Sequence, residues 1–379
     1  MLLCSRGLKR RPGAPALVRS TLPRLLLHGT APAVLAQAQA QARRRLSAVA
    51  SVNGPVDVAA FRELAFEPKK PLVLRQQAAD CPAIARWFTS GKHLSHPFLT
   101  AHPPNLEAVL PFELVIPASS PGDTASSCIQ MFADWIGQHT TTDRMVHLPS
   151  SLVPGAAPGS DPLVIFASNL TQLGRTQVPD LALPARFDRF DAPFSLFVLA
   201  NIFNETLPEA SPPSHRFKQL YIAQVPLDTL PKEWQQDLPT PELVRAAGKG
   251  DVYNSSLWMG LEPTYTPWHR DPNPNLFLQM CRPKVIRLLP PYSGELLFRR
   301  VQAQLGHNGS SRIRGQEMME GPERAMLHDA VWGGDAPGQI SEATLEPGDM
   351  LFIPQGWWHS VKATGEGGEL NASVNWWFR

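Results

Sequence analysis

Cysteine is scarce in this 379-residue chain. Cys4, Cys81, Cys128 and Cys281 are its only four, and none stand at the short spacings of a structural zinc site. Thiols so scattered also make no disulfide framework, so the fold must be held by its core. No apolar run approaches the roughly 20 residues that a membrane-spanning helix needs, so no membrane span is expected. Acidic residues are missing altogether before Asp57. Long helices are disfavoured by 39 prolines and 26 glycines, which suit short strands joined by turns. Apolar side chains, by contrast, are plentiful. They make up 43% of the chain, enough for the core of one large domain or two small ones.

Residues 1–46 differ from the rest. They contain Arg6, Lys9, Arg10, Arg11, Arg19, Arg24, Arg43, Arg44 and Arg45 among leucines and alanines. An arginine-rich, acid-free segment of this kind fits a mitochondrial transit peptide, and Arg44-Arg45-Leu46-Ser47 resembles a matrix-processing site. The expected location is therefore the mitochondrial matrix. A disordered basic tail is the other reading of the same composition. The whole chain carries 35 basic against 33 acidic residues. Without the nine basic residues of the leader, 26 remain against 33, a net charge of −7. Such a balance gives no global basic footprint for nucleic acid, although a local patch stays open.

The remaining chain divides into an expected N-terminal helical and loop-rich part, 47–215, and a barrel-like part, 216–379. Asp57 is placed to N-cap a helix over 58–64, and 71–75 reads as a strand. Segments 117–127 and 149–162, rich in Pro, Ser, Gly and Ala, read as surface loops. An apolar run at 196–203 marks a buried element, and 220–225 alternates as a strand does. Thr240, Pro241 and Gly248 are expected to cap, start and end a short helix. From 256 onward, short β-like runs at 256–260, 275–280, 285–289, 340–345, 350–353, 359–362 and 372–378 point to a mainly β barrel or sandwich.

Within that β-rich half, His269-Arg270-Asp271 and the distant His359 offer two imidazoles and a carboxylate. This donor set holds Fe(II) without saturating it, leaving positions open for an oxidant and a co-substrate. His269 and Asp271 would share one face of a strand, because side chains there repeat with period two. His359 would have to come from a strand remote in sequence and adjacent in space.

These residues, with Lys284, Thr266, Tyr221, Asn275, Asn375 and the run Val374-Asn375-Trp376-Trp377-Phe378, resemble the JmjC and cupin-like family of Fe(II)- and 2-oxoglutarate-dependent oxygenases. The resemblance extends from about Lys69 to the end and is densest from Tyr221 onward. Within the family the pattern is similar to the asparaginyl hydroxylase that inhibits hypoxia-inducible factor and to the tRNA wybutosine hydroxylase. It implies a double-stranded β-helix, the jelly-roll barrel of cupins, with flanking N-terminal helices. His269, Asp271 and His359 would be the iron ligands. Lys284, Thr266 and Tyr221 would hold the distal carboxylate of 2-oxoglutarate, and Asn275 and Asn375 would line its site. A buried carboxylate needs a cation and neutral donors in any case, and these three side chains would supply them.

The implied reaction consumes O2 and 2-oxoglutarate, releases succinate and CO2, and hydroxylates a C–H bond, with a protein side chain as the expected target. Hydroxylation of a tRNA base, lysyl demethylation and a non-catalytic cupin-like binding module are the alternatives. Those two similar enzymes continue into a dimerising helical segment after the last strand, whereas this sequence stops at Arg379, so homodimerisation through such a segment is not expected. Residues 294–338 carry no family pattern and are expected to shape the substrate entrance. His307 and His328 are expected to face solvent, Cys281 to be a small core side chain, and most of Trp258, Trp268, Trp357, Trp358 and Trp376 to be core.

Overall fold

The computed structural model describes residues 46–101, 103–116, 125–139, 186–306, 321–334, 336 and 339–379. Residues 1–45 of the basic leader, the expected loops at 117–124 and 149–162, and His307 lie outside the described residues.

Sixteen strands are described. The N-terminal part supplies β1 (Ser47–Ala48), β2 (Ser51–Asn53), β3 (Leu72–Arg75), the short pair β4 (Phe88–Thr89) and β5 (His93–Leu94), β6 (Val109–Ile116) and β7 (Arg186–Pro193). Then come β8 (Leu220–Pro226), β9 (Val252–Leu261), β10 (Tyr265–Arg270), β11 (Asn275–Cys281) and β12 (Lys284–Leu289). The last four are β13 (Ser341–Leu345), β14 (Met350–Ile353), β15 (Trp358–Ala363) and β16 (Leu370–Phe378). One sheet has the order β1-β13-β12-β15-β10, and a larger one runs β2-β3-β14-β11-β16-β9-β8-β6-β7. The expectation of a mainly β jelly-roll is met.

Three apolar layers show how the sheets stack. Phe277 and Leu351 from the large sheet meet Ile286, Leu288, Leu345 and Val361 from the small one, filling the space between them. The outer face of the large sheet, including Leu278, Val374, Trp376 and Phe378, packs against helices of the N-terminal part. The outer face of the small sheet, at Trp268 and Trp358, is covered by the helices Pro291–Leu305 and Gly321–Trp332. Helices α1 to α10 are Val58–Phe61, Pro82–Trp87, His96–Ala101, Pro103–Glu107, Ala125–His139, Phe194–Thr206, Lys232–Asp237, Glu242–Ala246, Pro291–Leu305 and Gly321–Trp332.

Local chemistry explains most of these elements. Asp57 caps α1 as expected, its Oδ1 accepting from Ala60 N at 2.8 Å. That helix then widens into a π turn over Arg62–Phe66, two residues past the expected end. The expected loop at 125–127 is instead the first turn of α5. The run at 196–203 is the middle of α6, buried on all sides, so no amphipathic period was there to be read. Helix α8 begins one residue later than expected. Pro241 is extended at φ −58 and ψ 146, so it takes the cap position itself and Thr240 falls outside. The uncharacterised stretch 294–338 contributes helical cover for the small sheet, with His328 half-buried and its ring 5.2 Å from that of Tyr265, not in open solvent.

Candidate metal centre

Strands β10 and β15 pair antiparallel, and the register sets His269 directly opposite His359. Their ring centroids are 4.1 Å apart. Strand β10 ends at Arg270, so Asp271 lies one residue beyond it, and the register shifts between Thr266 and His269. The carboxylate nevertheless reaches the imidazoles because Asp271 O accepts from Gly356 N at 3.1 Å, tying the loop after β10 to the one before β15. One nitrogen or oxygen from each of the three side chains lies within 4.8 Å of the others.

Hydrogen bonds fix how those atoms point. His269 Nδ1 donates to Pro267 O at 2.8 Å, and His359 Nδ1 to Trp357 O at 3.1 Å. Each imidazole is thereby held in the tautomer whose Nε2 lone pair is free, and each Nε2 faces Asp271, at 3.8 Å and 3.6 Å respectively. Burial and the neighbouring His359 push the His269 pKa down to about 4, so this imidazole stays neutral. Asp271 Oδ2 accepts from Trp377 Nε1 at 2.7 Å and from Asn275 Nδ2 at 3.1 Å. Two imidazoles and an oriented carboxylate form a metal-ligand set.

Deeper in the same cavity sits Lys284, 1% exposed. Its Nζ donates to Ser373 Oγ at 2.8 Å and lies 5.8 Å from the rings of both Tyr221 and Phe277. No carboxylate among the described residues lies within ion-pair distance of it. Burial pushes its pKa down to about 7. The Tyr221 phenol, raised by burial, is hydrogen-bonded to Thr266. Asn375 Nδ2 donates to Asn275 Oδ1 at 3.2 Å and its Oδ1 accepts from Trp258 Nε1 at 2.8 Å. All eight residues singled out from the sequence therefore line one cavity: Tyr221, Thr266, His269, Asp271, Asn275, Lys284, His359 and Asn375.

Six further side chains line this cavity: Phe277, Ile353, Val361, Ser373 and Trp377, to which the sequence reading gave no role there, and Trp258, which was grouped with aromatics expected mostly in the core. Ser373 and Trp377 stand two residues either side of Asn375 on one strand, so period two alone would have placed them on its face. Trp268, Trp358 and Trp376 are fully buried away from the cavity, as expected of core aromatics.

Comparison with known proteins bears on the same strands. A model of the cupin-like domain matches residues 185–379, which span β7 to β16 and carry every residue of the cavity. Lysine-specific demethylase JMJ30 of Arabidopsis thaliana is 28% identical over 158 residues, covering 42% of this chain and 33% of that protein. Lysine-specific demethylase 8 of Danio rerio is 31% identical over 160 residues, 42% of this chain and 36% of that protein. HSPB1-associated protein 1 homolog, also of Danio rerio, is 28% identical over 130 residues, with 34% and 26% covered. The chain thus spans about a third of the length of the curated relatives it matches. With its jelly-roll, its paired histidines and its domain match in agreement, the chain belongs to the JmjC and cupin-like family of Fe(II)- and 2-oxoglutarate-dependent oxygenases.

Proposed function

We propose that the protein is a 2-oxoglutarate-dependent dioxygenase that hydroxylates a side chain of a protein substrate, with release of succinate and CO2. One observation carries this reading: a buried lysine with only a neutral hydrogen-bond partner lies in the same cavity as a His, Asp and His cluster. An ammonium in that position calls for an anion, and a cluster of that donor type calls for a divalent metal. A chelating dicarboxylate satisfies both.

His269, Asp271 and His359 would hold Fe(II). Lys284 would meet the distal carboxylate of 2-oxoglutarate as a point charge, with the Thr266 and Tyr221 hydroxyls completing its hydrogen bonds. Asn275 and Asn375 would line the space between, and Trp258, Phe277, Ile353 and Val361 would exclude water. Bound Fe(II), with O2 and the keto acid, supplies the oxidising power. The chain supplies orientation, two imidazole donors and a dry end for the co-substrate with Lys284 in it.

A protein target is supported by the relatives named lysine-specific demethylases and by the acidic balance of the chain after its leader. Those names favour one second reading, in which the hydroxylated carbon is an N-methyl group of lysine. The basic, acid-free leader supports action in the mitochondrial matrix. The test is spectroscopic first. Anaerobic Fe(II) and 2-oxoglutarate should give a weak metal-to-ligand charge-transfer band, and its absence in folded, metal-loaded protein would leave only a binding module. Succinate release that rises with a matrix protein fraction, and not with RNA, then supports the protein-directed activity. A response to RNA alone would replace it with a tRNA-base hydroxylase.

A further inference from the structure

Lys284 is the first residue of β12, directly after the turn from β11 in which Arg282 adopts φ +55. Three side-chain bonds hold this turn. Gln279 Nε2 donates to the carbonyls of Cys281 and Arg282, and Asn371 Nδ2 donates to Pro283 O at 3.1 Å. Asn371 also accepts from Gln279 Nε2 at 3.1 Å, and its Nδ2 donates to Glu262 Oε1 at 2.7 Å. Glu262 is 1% exposed, and Gln279 and Asn371 are wholly buried. Glu262 is not among the residues that line the metal-centre cavity.

A buried carboxylate is disfavoured without a cation, and a buried ammonium without an anion. Among the described residues neither Glu262 nor Lys284 is in a direct salt bridge, yet both are sealed at the same end of the barrel. In so dry a medium, charges beyond contact distance still couple. Burial favours loss of the Lys284 proton, and Glu262 is the main group opposing it. Burial pushes the Glu262 pKa up, the hydrogen bond from Asn371 works against that, and Glu369 and Arg282 act on it in opposite directions.

We propose that Glu262 is a positioning residue for 2-oxoglutarate. Its carboxylate is the standing counter-charge of Lys284 and, through Asn371, fixes the turn from which that lysine reaches the distal carboxylate of the keto acid. This rests on the reading of the cavity as a 2-oxoglutarate site. Without Glu262 the lysine loses its proton at lower pH, and the incoming dicarboxylate meets a neutral amine over more of the working range.

The test measures binding, not turnover. The full chain is loaded with Fe(II) anaerobically, and the Kd of 2-oxoglutarate is followed from pH 6 to pH 9 for the native protein and for Glu262→Gln. The reference ligand is 2-oxopentanoate, which keeps the keto-acid head and lacks the distal carboxylate. If the lysine pKa falls by about one unit in the variant, its 2-oxoglutarate Kd is about tenfold weaker at pH 8 and about twofold weaker at pH 6. The 2-oxopentanoate Kd stays within about twofold at each pH. Parallel pH profiles, or equal losses for both ligands, overturn the proposal. Should Glu262→Gln not fold, the double variant Glu262→Gln with Lys284→Met removes both buried charges. Recovery of a cooperative thermal transition supports the coupling, and failure to recover overturns it. Native protein that binds 2-oxoglutarate no better than 2-oxopentanoate refutes the co-substrate site itself, a result distinct from either of these.

Discussion

Replacing Trp377 by Phe isolates one hydrogen bond at the metal centre. The indole Nε1 of Trp377 donates to Asp271 Oδ2 at 2.7 Å, and Phe keeps much of the apolar ring while deleting the donor. A hydrogen bond to an ionised group contributes about 1.5–3 kcal/mol, and loss of a group that orients a metal ligand costs about 10–100-fold in metal affinity. The two scales agree, since about 1.4 kcal/mol corresponds to tenfold. Asn275 still donates to the same oxygen at 3.1 Å, so the lower half of that range, about 10–30-fold, is the expected loss for Trp377→Phe. The neighbouring residue provides the control. Trp376 lies on the opposite face of β16, and its Nε1 is buried with no hydrogen-bond partner among the described residues. Trp376→Phe should therefore lower thermal stability through lost packing while leaving metal affinity within about twofold. Calorimetric titration of both variants with Fe(II) under anaerobic conditions reads the difference. Equal metal affinities for Trp377→Phe and the native protein would refute the argument that Asp271 is oriented by this bond.

Three further outcomes follow from the same geometry. His359→Ala removes one of the two paired imidazoles and should abolish Fe(II) binding and the charge-transfer band, whereas Lys284→Met should spare the metal and weaken 2-oxoglutarate alone. Binding of 2-oxoglutarate should take up a proton at pH 8 and not at pH 6. The free protein holds Lys284 near a pKa of about 7, below its ordinary value, and pairing with a carboxylate raises it. The bound form therefore carries more protons only above about pH 7, which calorimetry in buffers of different ionisation enthalpy detects. Gly294→Ala should cost about 1–3 kcal/mol in thermal or denaturant unfolding, because an added Cβ would run into the fully buried Trp358 ring.

The chemistry of the site was legible in the sequence because it depends on residue types at fixed offsets along strands. Period two put His269 and Asp271 on one face, Asn275, His359 and Asn375 each fall in a β run expected from the sequence, and the roles of Lys284, Asn275 and Asn375 came from the family resemblance. The pairing of β10 with β15 was not legible. Nothing in the 89 residues between His269 and His359 announces that their Cα positions become direct cross-strand partners. Register of this kind arises from the closure of the barrel, a property of all the strands together. Helix α6 escaped for another reason: a helix buried on every side has lost the 3.6-residue contrast that identifies one. The start of α8 was misplaced by one residue because a proline can either cap or begin a helix, and only the backbone angles decide.

Strand β16 shows how the two demands are written into one segment. Its outward side chains, Leu370, Ala372, Val374, Trp376 and Phe378, all belong to the apolar layer under the N-terminal helices. Its inward ones are Asn371, Ser373, Asn375 and Trp377, each with a different partner. Asn371 donates to Glu262, Ser373 accepts from Lys284, Asn375 bridges Trp258 and Asn275, and Trp377 donates to Asp271. Four polar side chains on the inner face of a barrel strand would be a heavy burden for a core built only to pack. Each is tolerated because it is satisfied, and the groups it satisfies are those that would hold the co-substrate and the metal. Along this face, residue choice is therefore set by the contents of the cavity. One residue away on either side, it is set by the hydrophobic effect. A shift of register by a single position would exchange the two sets, burying the amides under the helices and pointing Val374 and Trp376 at the metal centre.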